Sequence, residues 1–324
     1  MFETKHILVA LADPAAKSSP AVARAFEIAA KTGAQVTLFH SLYSPYVAGE
    51  QFYSPTDLQR DIEAAVNARK RDLERLAKPL LAGGVATHVR VRWDYPIHES
   101  IVREAVREDI DLVVIESHRH GRASRLILSN TDWQLFRLCP CPVLLVKTSR
   151  RYDRARVLVS VDPMHAHAKP AALDARLLAT GHALADTFGG KLHAAHFYML
   201  TTPLATGFMV EPLPLPTEIA EQHARDVGRA FAALTGQYEL GPRRAHLRTG
   251  IPVDELPDLA AEIDAHVVVM GAVSRTGLKR LFIGHTAERV IDRLKCDVLI
   301  VKPAGFKTPV PRRAANRPVV LPPL

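Results

Sequence analysis

The sequence repeats itself, and this repeat limits the fold more than any other feature. Residues 6–11 have a counterpart at residues 156–161, and residues 141–147 have a counterpart at residues 296–302. The matches between these points stay in register, with small insertions and deletions. A chain of 324 residues in which one half copies the other predicts two domains of one fold.

Within each half, short apolar runs alternate with longer amphipathic stretches. Uninterrupted runs of valine, leucine and isoleucine are typical of parallel strands that are covered on both faces. A helix is predicted over residues 20–31, ended by Gly33, and a longer one over residues 57–81. Pro96 and Pro252 are predicted in the first turn of the third helix of their halves, where a missing N–H costs nothing. The order βαβαβαβαβ predicts α/β domains, each doubly wound and Rossmann-like with a five-stranded parallel sheet.

The predicted limits are residues 1–148 for the first domain, 155–303 for the second and 304–324 for a basic, proline-rich tail. This tail holds half of the net charge of +8 and is expected to be mobile. The remaining charge forms no basic stripe with interleaved aromatic residues. No nucleic-acid partner is therefore expected.

The sequence indicates a cytoplasmic protein. No apolar run approaches the roughly 18–20 residues that cross a bilayer, and the start of the chain lacks the pattern of an export signal. The three cysteines form no disulfide framework and are predicted to be reduced. Cys139 and Cys141 flank one proline, which is not the C-x-x-C redox spacing. Cys141 and Cys296 begin the predicted fifth strands and are interpreted as buried packing residues.

No metal site and no catalytic motif are predicted. His118 and His120 lie two residues apart, as do His165 and His167, but no set has the ligand spacing of a zinc site. The sequence contains no G-x-S-x-G, Walker A or G-x-G-x-x-G motif. An enzymatic activity is therefore not expected.

Two segments, residues 42–56 and 198–217, are predicted to be long and irregular. Such segments are often functional. The second is apolar enough to cover a hydrophobic ligand or a partner surface, or to pack on its own domain as a lid.

The end of the second half resembles the universal stress protein family. The residues Val268-Val269-Met270-Gly271 lead into a loop, and Gly284-His285-Thr286-Ala287-Glu288 lead out of it. In nucleotide-binding members the loop reads G-x2-G-x9-G-[S/T]. The tandem layout, Thr131-Asp132-Trp133 and the Cys-Pro-Cys-Pro segment are most similar to the double-domain, UspE-like branch. The resemblance implies that the halves pair through their fifth strands as a pseudo-dimer within one chain, and it allows a further homodimer.

The resemblance also implies an adenine nucleotide, ATP with or without magnesium, in the second half. Glycines let a backbone approach phosphate oxygens, and a helix N-terminus offers them N–H groups. Asp162 would contact the adenine or ribose side, Phe197 would contact the base through its backbone, and Met270 would line the pocket. The implied site consists of Asp162, Phe197, Met270, Gly271, Ser274, Gly284, His285 and Thr286.

The match to the loop pattern is incomplete. Ser274 replaces the second glycine, which costs on the order of 1–2 kcal/mol if the backbone there must be left-handed. His285 follows Gly284, so that Thr286 comes one position late. The sequence therefore predicts weak binding.

The first half departs further from the pattern. Glu116, Arg119 and Ser129 stand where the second half has Gly271, Ser274 and Gly284. A carboxylate about 4 Å from a phosphate charge repels it by about 4 kcal/mol at an effective dielectric constant of 20. The first half is predicted not to bind nucleotide, and Asp13 is then a helix cap or turn residue.

The favoured function is a cytoplasmic stress-response regulator or adaptor with weak ATP binding in its second domain and an unknown protein partner. Binding would order the loop over residues 272–283. The first alternative is a tandem stress protein that binds another small or apolar ligand, or a protein partner, in place of nucleotide. A second is a slow ATPase or autokinase, for which phosphate near Thr286 would suffice.

Overall fold

The structure is a computed structural model that describes residues 3–43, 55–117, 128–164, 171–206, 209–272 and 285–313. The chain divides into two compact units. The first unit contains Glu3–Arg151 and the C-terminal segment that starts at Phe306, and the second contains Tyr152–Gly305.

The first unit alternates strands and helices from its beginning to its end. Its elements are β1 (His6–Ala10), α1 (Pro20–Thr32), β2 (Gln35–Leu42), α2 (Pro55–Ala82), β3 (Thr87–Trp93), α3 (Ile97–Arg107), β4 (Leu112–Glu116), α4 (Asn130–Leu138) and β5 (Val143–Val146). All strand pairs are parallel, in the order β3-β2-β1-β4-β5. The chain builds outward from β1 to β3 and then crosses back to β4, so the direction of winding reverses between β1 and β4.

The second unit repeats this plan. Its elements are β6 (Arg156–Ser160), α5 (Ala171–Thr187), β7 (Lys191–Tyr198), β8 (Thr201–Thr206), β9 (Met209–Pro214), α6 (Thr217–Thr235), a 3-10 turn (Gly236–Tyr238), β10 (Ala245–Thr249), α7 (Pro252–Glu262), β11 (Val267–Gly271), α8 (His285–Arg293) and β12 (Asp297–Val301). Its parallel sheet has the order β10-β7-β6-β11-β12. The predicted α/β class with a five-stranded parallel sheet in each half is confirmed.

One predicted irregular segment has regular structure. Strands β8 and β9 form an antiparallel hairpin, with Thr201 opposite Pro214 and Thr206 opposite Met209. The prediction of an irregular segment over residues 198–217 is therefore wrong. Prolines argue against a strand in a sequence, but a two-stranded ribbon tolerates them because each strand has an edge that needs no N–H donor. The other segment predicted to be irregular, residues 42–56, is described only in part, because residues 44–54 lie outside the described part of the chain.

The ends of the helices follow from local sequence. Ser19 caps α1, accepting the N–H of Val22 at 3.2 Å, and Gly33 ends the helix in the left-handed conformation, with φ of 74°. This confirms the predicted end of α1. Pro252 lies in the first turn of α7 as predicted, and Pro96 immediately precedes α3.

The strands carry the core of each unit. Every residue of β1, β5 and β12 is buried, as expected for strands with both faces covered. All three cysteines are thiols. A buried packing role was predicted for Cys141 and Cys296: Cys296 is buried, whereas Cys141 is only half-buried. Cys139 is also buried. Among the described helices, none has the length and apolar character needed to cross a membrane.

Candidate functional site

The carboxyl edge of the second unit's sheet brings part of the predicted site together. The N–H of Val161 donates to the carbonyl of Ala195 at 2.9 Å, so Asp162 directly follows the last bonded position after β6. Strand β11, which pairs with β6, ends at Gly271. Asp162 and Gly271 therefore flank the point where the winding reverses, which is where open α/β sheets bind ligands.

Asp162 has a fixed backbone and an available side chain. Its N–H donates to the Asp174 carboxylate of α5 at 3.2 Å, whereas its own half-buried carboxylate has no hydrogen bond or ion pair to the described residues. The counterpart in the first unit, Asp13, accepts the N–H of Ala15 at 3.0 Å. Asp13 is thus a turn residue, as predicted, and the two aspartates differ in what they bind.

Close packing favours a glycine at position 271. A Cβ atom there would lie 2.9 Å from Cδ2 of Leu173 and 3.4 Å from Cδ1 of Leu177, because α5 crosses the end of β11 at short range. Its φ lies outside the left-handed region, so the expected benefit of glycine in reaching positive φ does not apply here. Met270 and Phe197, on β11 and β7, are buried beside this edge.

The phosphate side of the predicted site is described only in part. His285 and Thr286 are the first two residues of α8, and the structure describes the backbone of this helix from its first residue. Ser274 and Gly284 lie outside the described residues. Of the predicted set, the structure therefore brings together Asp162, Phe197, Met270 and Gly271 on or after adjacent strands.

The same edge of the first unit holds a cavity of about 240 Å³. It lies beyond the ends of β1, β2 and β4, against α3 and the start of α4. Its apolar lining includes Leu11, Phe39, Ile101 and Ile115, and its polar lining includes His40, Glu116 and Thr131.

Glu116 closes one side of this edge. Its Oε2 accepts the hydroxyl of Ser19 at 2.7 Å and the N–H of Ala21 at 3.3 Å, both at the N-terminus of α1. A carboxylate at a helix N-terminus is favoured by the partial positive charge there. The residue that replaces the loop glycine therefore serves as a second cap for α1.

Ser129 and Asp132 close the other side. The hydroxyl of Ser129 accepts the N–H of Asp132 at 3.2 Å, and the Asp132 carboxylate accepts the N–H of Ser129 at 2.8 Å. This reciprocal capping box satisfies N–H groups of α4 that an anionic ligand would otherwise use. That the first half does not bind nucleotide stays a prediction.

Sequence reasoning missed a histidine that both units use. Nδ1 of His40 lies 2.7 Å from the carbonyl of Leu11, and Nδ1 of His196 lies 3.0 Å from the carbonyl of Val161. Each histidine ties the end of a second strand to the exit of the first. Burial lowers the pKa of His40, so its ring is neutral at pH 7. The only available signal was that the two histidines occupy matching positions in the repeat.

A buried ion cluster supports the first unit beside the cavity. The guanidinium of Arg103 on α3 donates to the Asp94 carboxylate at 2.8 and 3.0 Å and to Glu99 at 2.8 Å, and its side chain is 2% exposed. When Pro96 and Pro252 are aligned, the second unit has Leu259 at the position of Arg103 and a glycine at the position of Asp94. The same place is ionic in one unit and apolar in the other.

A pair of histidines lies toward the opposite, amino edge of the second unit. Nδ1 of His193 is 3.1 Å from Nε2 of His246, and the rings stack with centroids 5.4 Å apart. Burial, followed by the charges of His246 and Arg244, lowers the pKa of His193 from 6.5 to about 4. Within the described residues no group of three or more potential ligands could hold a metal, and the four histidines considered from the sequence lie outside them.

Comparison with known proteins identifies relatives over almost the whole chain. The model of the "Universal stress protein family" matches residues 3–147 and 154–302. Universal stress protein E of Salmonella typhi and that of Escherichia coli K12 are each 30% identical over 310 residues, which covers 94% of this chain and 96% of the relative.

Solved structures agree with this result. A putative universal stress protein from Pseudomonas aeruginosa UCBPP-PA14 has a TM-score of 0.70 and 25% identity, covering 94% of this chain and 95% of the other. A protein of unknown function from Pseudomonas aeruginosa PAO1 has a TM-score of 0.71 and 24% identity over 94% of each chain. The chain belongs to the universal stress protein family, as a tandem member similar to universal stress protein E.

Proposed function

We propose that this protein is a cytoplasmic stress-response regulator or adaptor whose second unit binds an adenine nucleotide, ATP, while its first unit does not. The observation that carries the proposal is the contrast between the two aspartates. Asp13 uses its carboxylate to hold a turn, whereas the Asp162 carboxylate has no partner among the described residues and lies where the winding reverses.

The neighbouring residues support the same assignment. At the fourth strand of the second unit stands Gly271, which brings no charge, whereas the first unit has the carboxylate of Glu116. At the following helix, the first unit satisfies the N-terminus of α4 with the capping box of Ser129. A phosphate would therefore meet less repulsion and less competition in the second unit.

The regulatory part of the proposal rests on the loop between β11 and α8. A nucleotide that binds an ordered state of residues 272–283 more tightly than an open state would shift the population toward the ordered state and change the surface offered to a protein partner. The proposal includes the domain limits 1–148 and 155–303 and the pairing of the two halves through their fifth strands, both of which remain predictions.

The first experiment is native mass spectrometry of the freshly purified chain, followed by calorimetric titration with ATP and magnesium. One nucleotide per chain is expected. Asp162→Ala should weaken binding at least tenfold, which corresponds to about 1.4 kcal/mol. Asp13→Ala, the matched change in the first unit, should leave binding unchanged.

Two results would overturn the proposal. One is the absence of bound nucleotide together with no heat at millimolar ATP, and the other is equal loss of binding in both aspartate variants. Release of phosphate above a no-protein control, lost in Asp162→Ala, would instead favour the slow ATPase.

The cavity of the first unit favours a second candidate function. A space of about 240 Å³ with a mostly apolar lining suits a small ligand without phosphate. In this alternative the protein is a tandem stress protein that binds another small or apolar ligand. The same mass spectrum tests it, because such a ligand would co-purify as a mass other than that of a nucleotide.

A further inference from the structure

Two thiols of the first unit lie against each other. Sγ of Cys139 is 3.5 Å from Sγ of Cys141, although one proline separates the residues in sequence. Both cysteines, the helix before them and the strand after them belong to the described part of the chain.

The local backbone explains this approach. The N–H of Cys139 donates to the carbonyl of Leu135 at 3.0 Å and ends α4, and the backbone then becomes extended, with ψ of 129°. Pro140 cannot continue the helix, since it has no N–H and fixes its own φ. Strand β5 begins at Val143, so the two cysteines lie in the short connection between the helix and a buried strand.

The two thiols differ in access. Cys139 is fully buried, whereas Cys141 is half-buried and lies between two half-buried prolines. A dissolved reagent therefore reaches Cys141 first. This is the arrangement of an attacking thiol and a resolving thiol.

We propose that Cys139 and Cys141 form a redox-active dithiol that a small disulfide, such as glutathione disulfide, converts to an intramolecular disulfide. The sulfur atoms must approach from 3.5 Å to the S–S bond length of about 2.05 Å. Residues 139–142 lie between the end of α4 and the start of β5, so this movement requires no break in either element.

The chemistry proceeds in two exchange steps. The Cys141 thiol loses its proton and attacks one sulfur of glutathione disulfide, which forms a mixed disulfide and releases one glutathione. The Cys139 thiol then loses its proton and attacks Sγ of Cys141, which forms the protein disulfide and releases the second glutathione. The protein gives up two protons and two electrons, and the disulfide reagent takes up both.

The surroundings set the rate and the direction of this exchange. The hydrogen bond with Cys139 and burial raise the pKa of the Cys141 thiol well above its ordinary value, so little thiolate is present at pH 7. Oxidation should be slow at pH 7 and faster as the pH rises. A disulfide closed across a single residue is strained, and we expect glutathione to reduce it readily.

The test uses the full chain in a Cys296→Ser background, so that only the two thiols react. The reduced protein is incubated with excess glutathione disulfide at pH 8.5 and its intact mass is measured. We expect the loss of two hydrogen atoms without a retained glutathione, and full recovery of the mass after reduction.

Single variants assign the roles and serve as controls. Cys139→Ser should stop at a stable glutathione adduct on Cys141, and Cys141→Ser should form at least tenfold less adduct. Serine is close in size to cysteine, and thermal melts confirm that each variant is folded. The proposal is overturned if the parent chain keeps a glutathione adduct, if its mass does not change, or if both single variants form adducts equally.

Discussion

The two units share a sheet order but treat the carboxyl edge of that sheet differently. In the first unit, Glu116 and Ser129 direct their polar atoms at the N-termini of α1 and α4. In the second unit, the matching strand ends in Gly271, and Asp162 keeps its carboxylate without a partner among the described residues. A duplicated fold can therefore separate two tasks, because groups that would meet a ligand in one copy stabilise helices in the other.

The two units also differ in the third helix of each, α3 and α7. Arg103 of the first unit is buried with two carboxylates, whereas the residue at the matching position, Leu259, is apolar and buried. An ionic cluster needs each of its members, since removing one leaves charge without compensation. The free energy of unfolding of the first unit should therefore fall when a charged member of this cluster is removed, whereas the second unit has no such cluster at the matching positions.

The largest effect is expected for Arg103→Leu, which copies the residue of the second unit. Asp94 and Glu99 would keep their charges without the guanidinium, and the free energy of unfolding should fall by about 3–5 kcal/mol. Both tryptophans of the chain, Trp93 and Trp133, lie in the first unit. Their fluorescence during urea denaturation therefore measures this unit alone.

A second substitution sharpens this test. Adding Asp94→Gly to Arg103→Leu removes the more buried of the two carboxylates that have lost the guanidinium, and at least half of the lost stability should return. Arg225→Leu removes an exposed ion pair of the second unit and should leave the tryptophan transition unchanged. A loss in Arg103→Leu no greater than in that control would contradict the comparison.

A smaller effect, up to about 3 kcal/mol, is expected in the second unit when acid protonates His193. The pKa of His193 is about 4 in the folded chain and 6.5 ordinarily, so the unfolded chain binds more protons between these values. The contribution of neutral His193 to the free energy of unfolding is complete above pH 6.5 and is lost as the pH falls toward 4. The matching residue of the first unit is Thr37, which does not titrate.

The measurement is the free energy of unfolding between pH 4 and 6.5, followed by circular dichroism in wild type and in His193→Thr. The variant should show a smaller loss on acidification. His182→Thr, at an exposed histidine, should behave as wild type. An unchanged pH dependence in His193→Thr would show that the histidine pair is not responsible.

The smallest effect is expected at the cap of α4. Ser129→Ala removes the hydroxyl that accepts the Asp132 N–H and should lower the stability of the first unit by about 1 kcal/mol. Ser129→Gly should cost only a few tenths of a kcal/mol. Neither change should alter the heat of ATP binding, and a gain of nucleotide binding in the first unit would show that the cap alone had prevented it.

The sequence predicted the features that depend on neighbouring residues. The apolar runs located most strands of the two parallel sheets, and Gly33 marked the end of α1, because these signals act within a few residues. The strand order within each sheet was not predicted, because no single run contains it. Gly271 was correctly placed at a strand end, although its packing against Leu173 was not foreseen.

The features that were missed depend on packing and pairing that the local sequence signals do not show. Arg103 lies on a helix with other charged residues, a pattern that usually indicates a solvent-exposed face, and only the packed structure shows its burial. Glu116 was interpreted as a group that repels phosphate, whereas its two hydrogen-bond donors lie on another element. The β8–β9 hairpin was missed because its prolines argue against strands.

The bond between Glu116 and Ser19 also affects how the chain can fold during synthesis. These residues are 97 positions apart, whereas Asp162 and Asp174 in the second unit are separated by only 12. On the ribosome, α1 gains its second cap only after β4 has emerged, so a nascent chain that ends before Glu116 carries an incomplete first unit. Contacts of such long range slow folding, and the unfinished unit exposes apolar strands to other chains until then. The second unit shares this dependence, because its Arg156 and Asp264 are 108 positions apart, so each unit is complete only after its fourth strand has emerged.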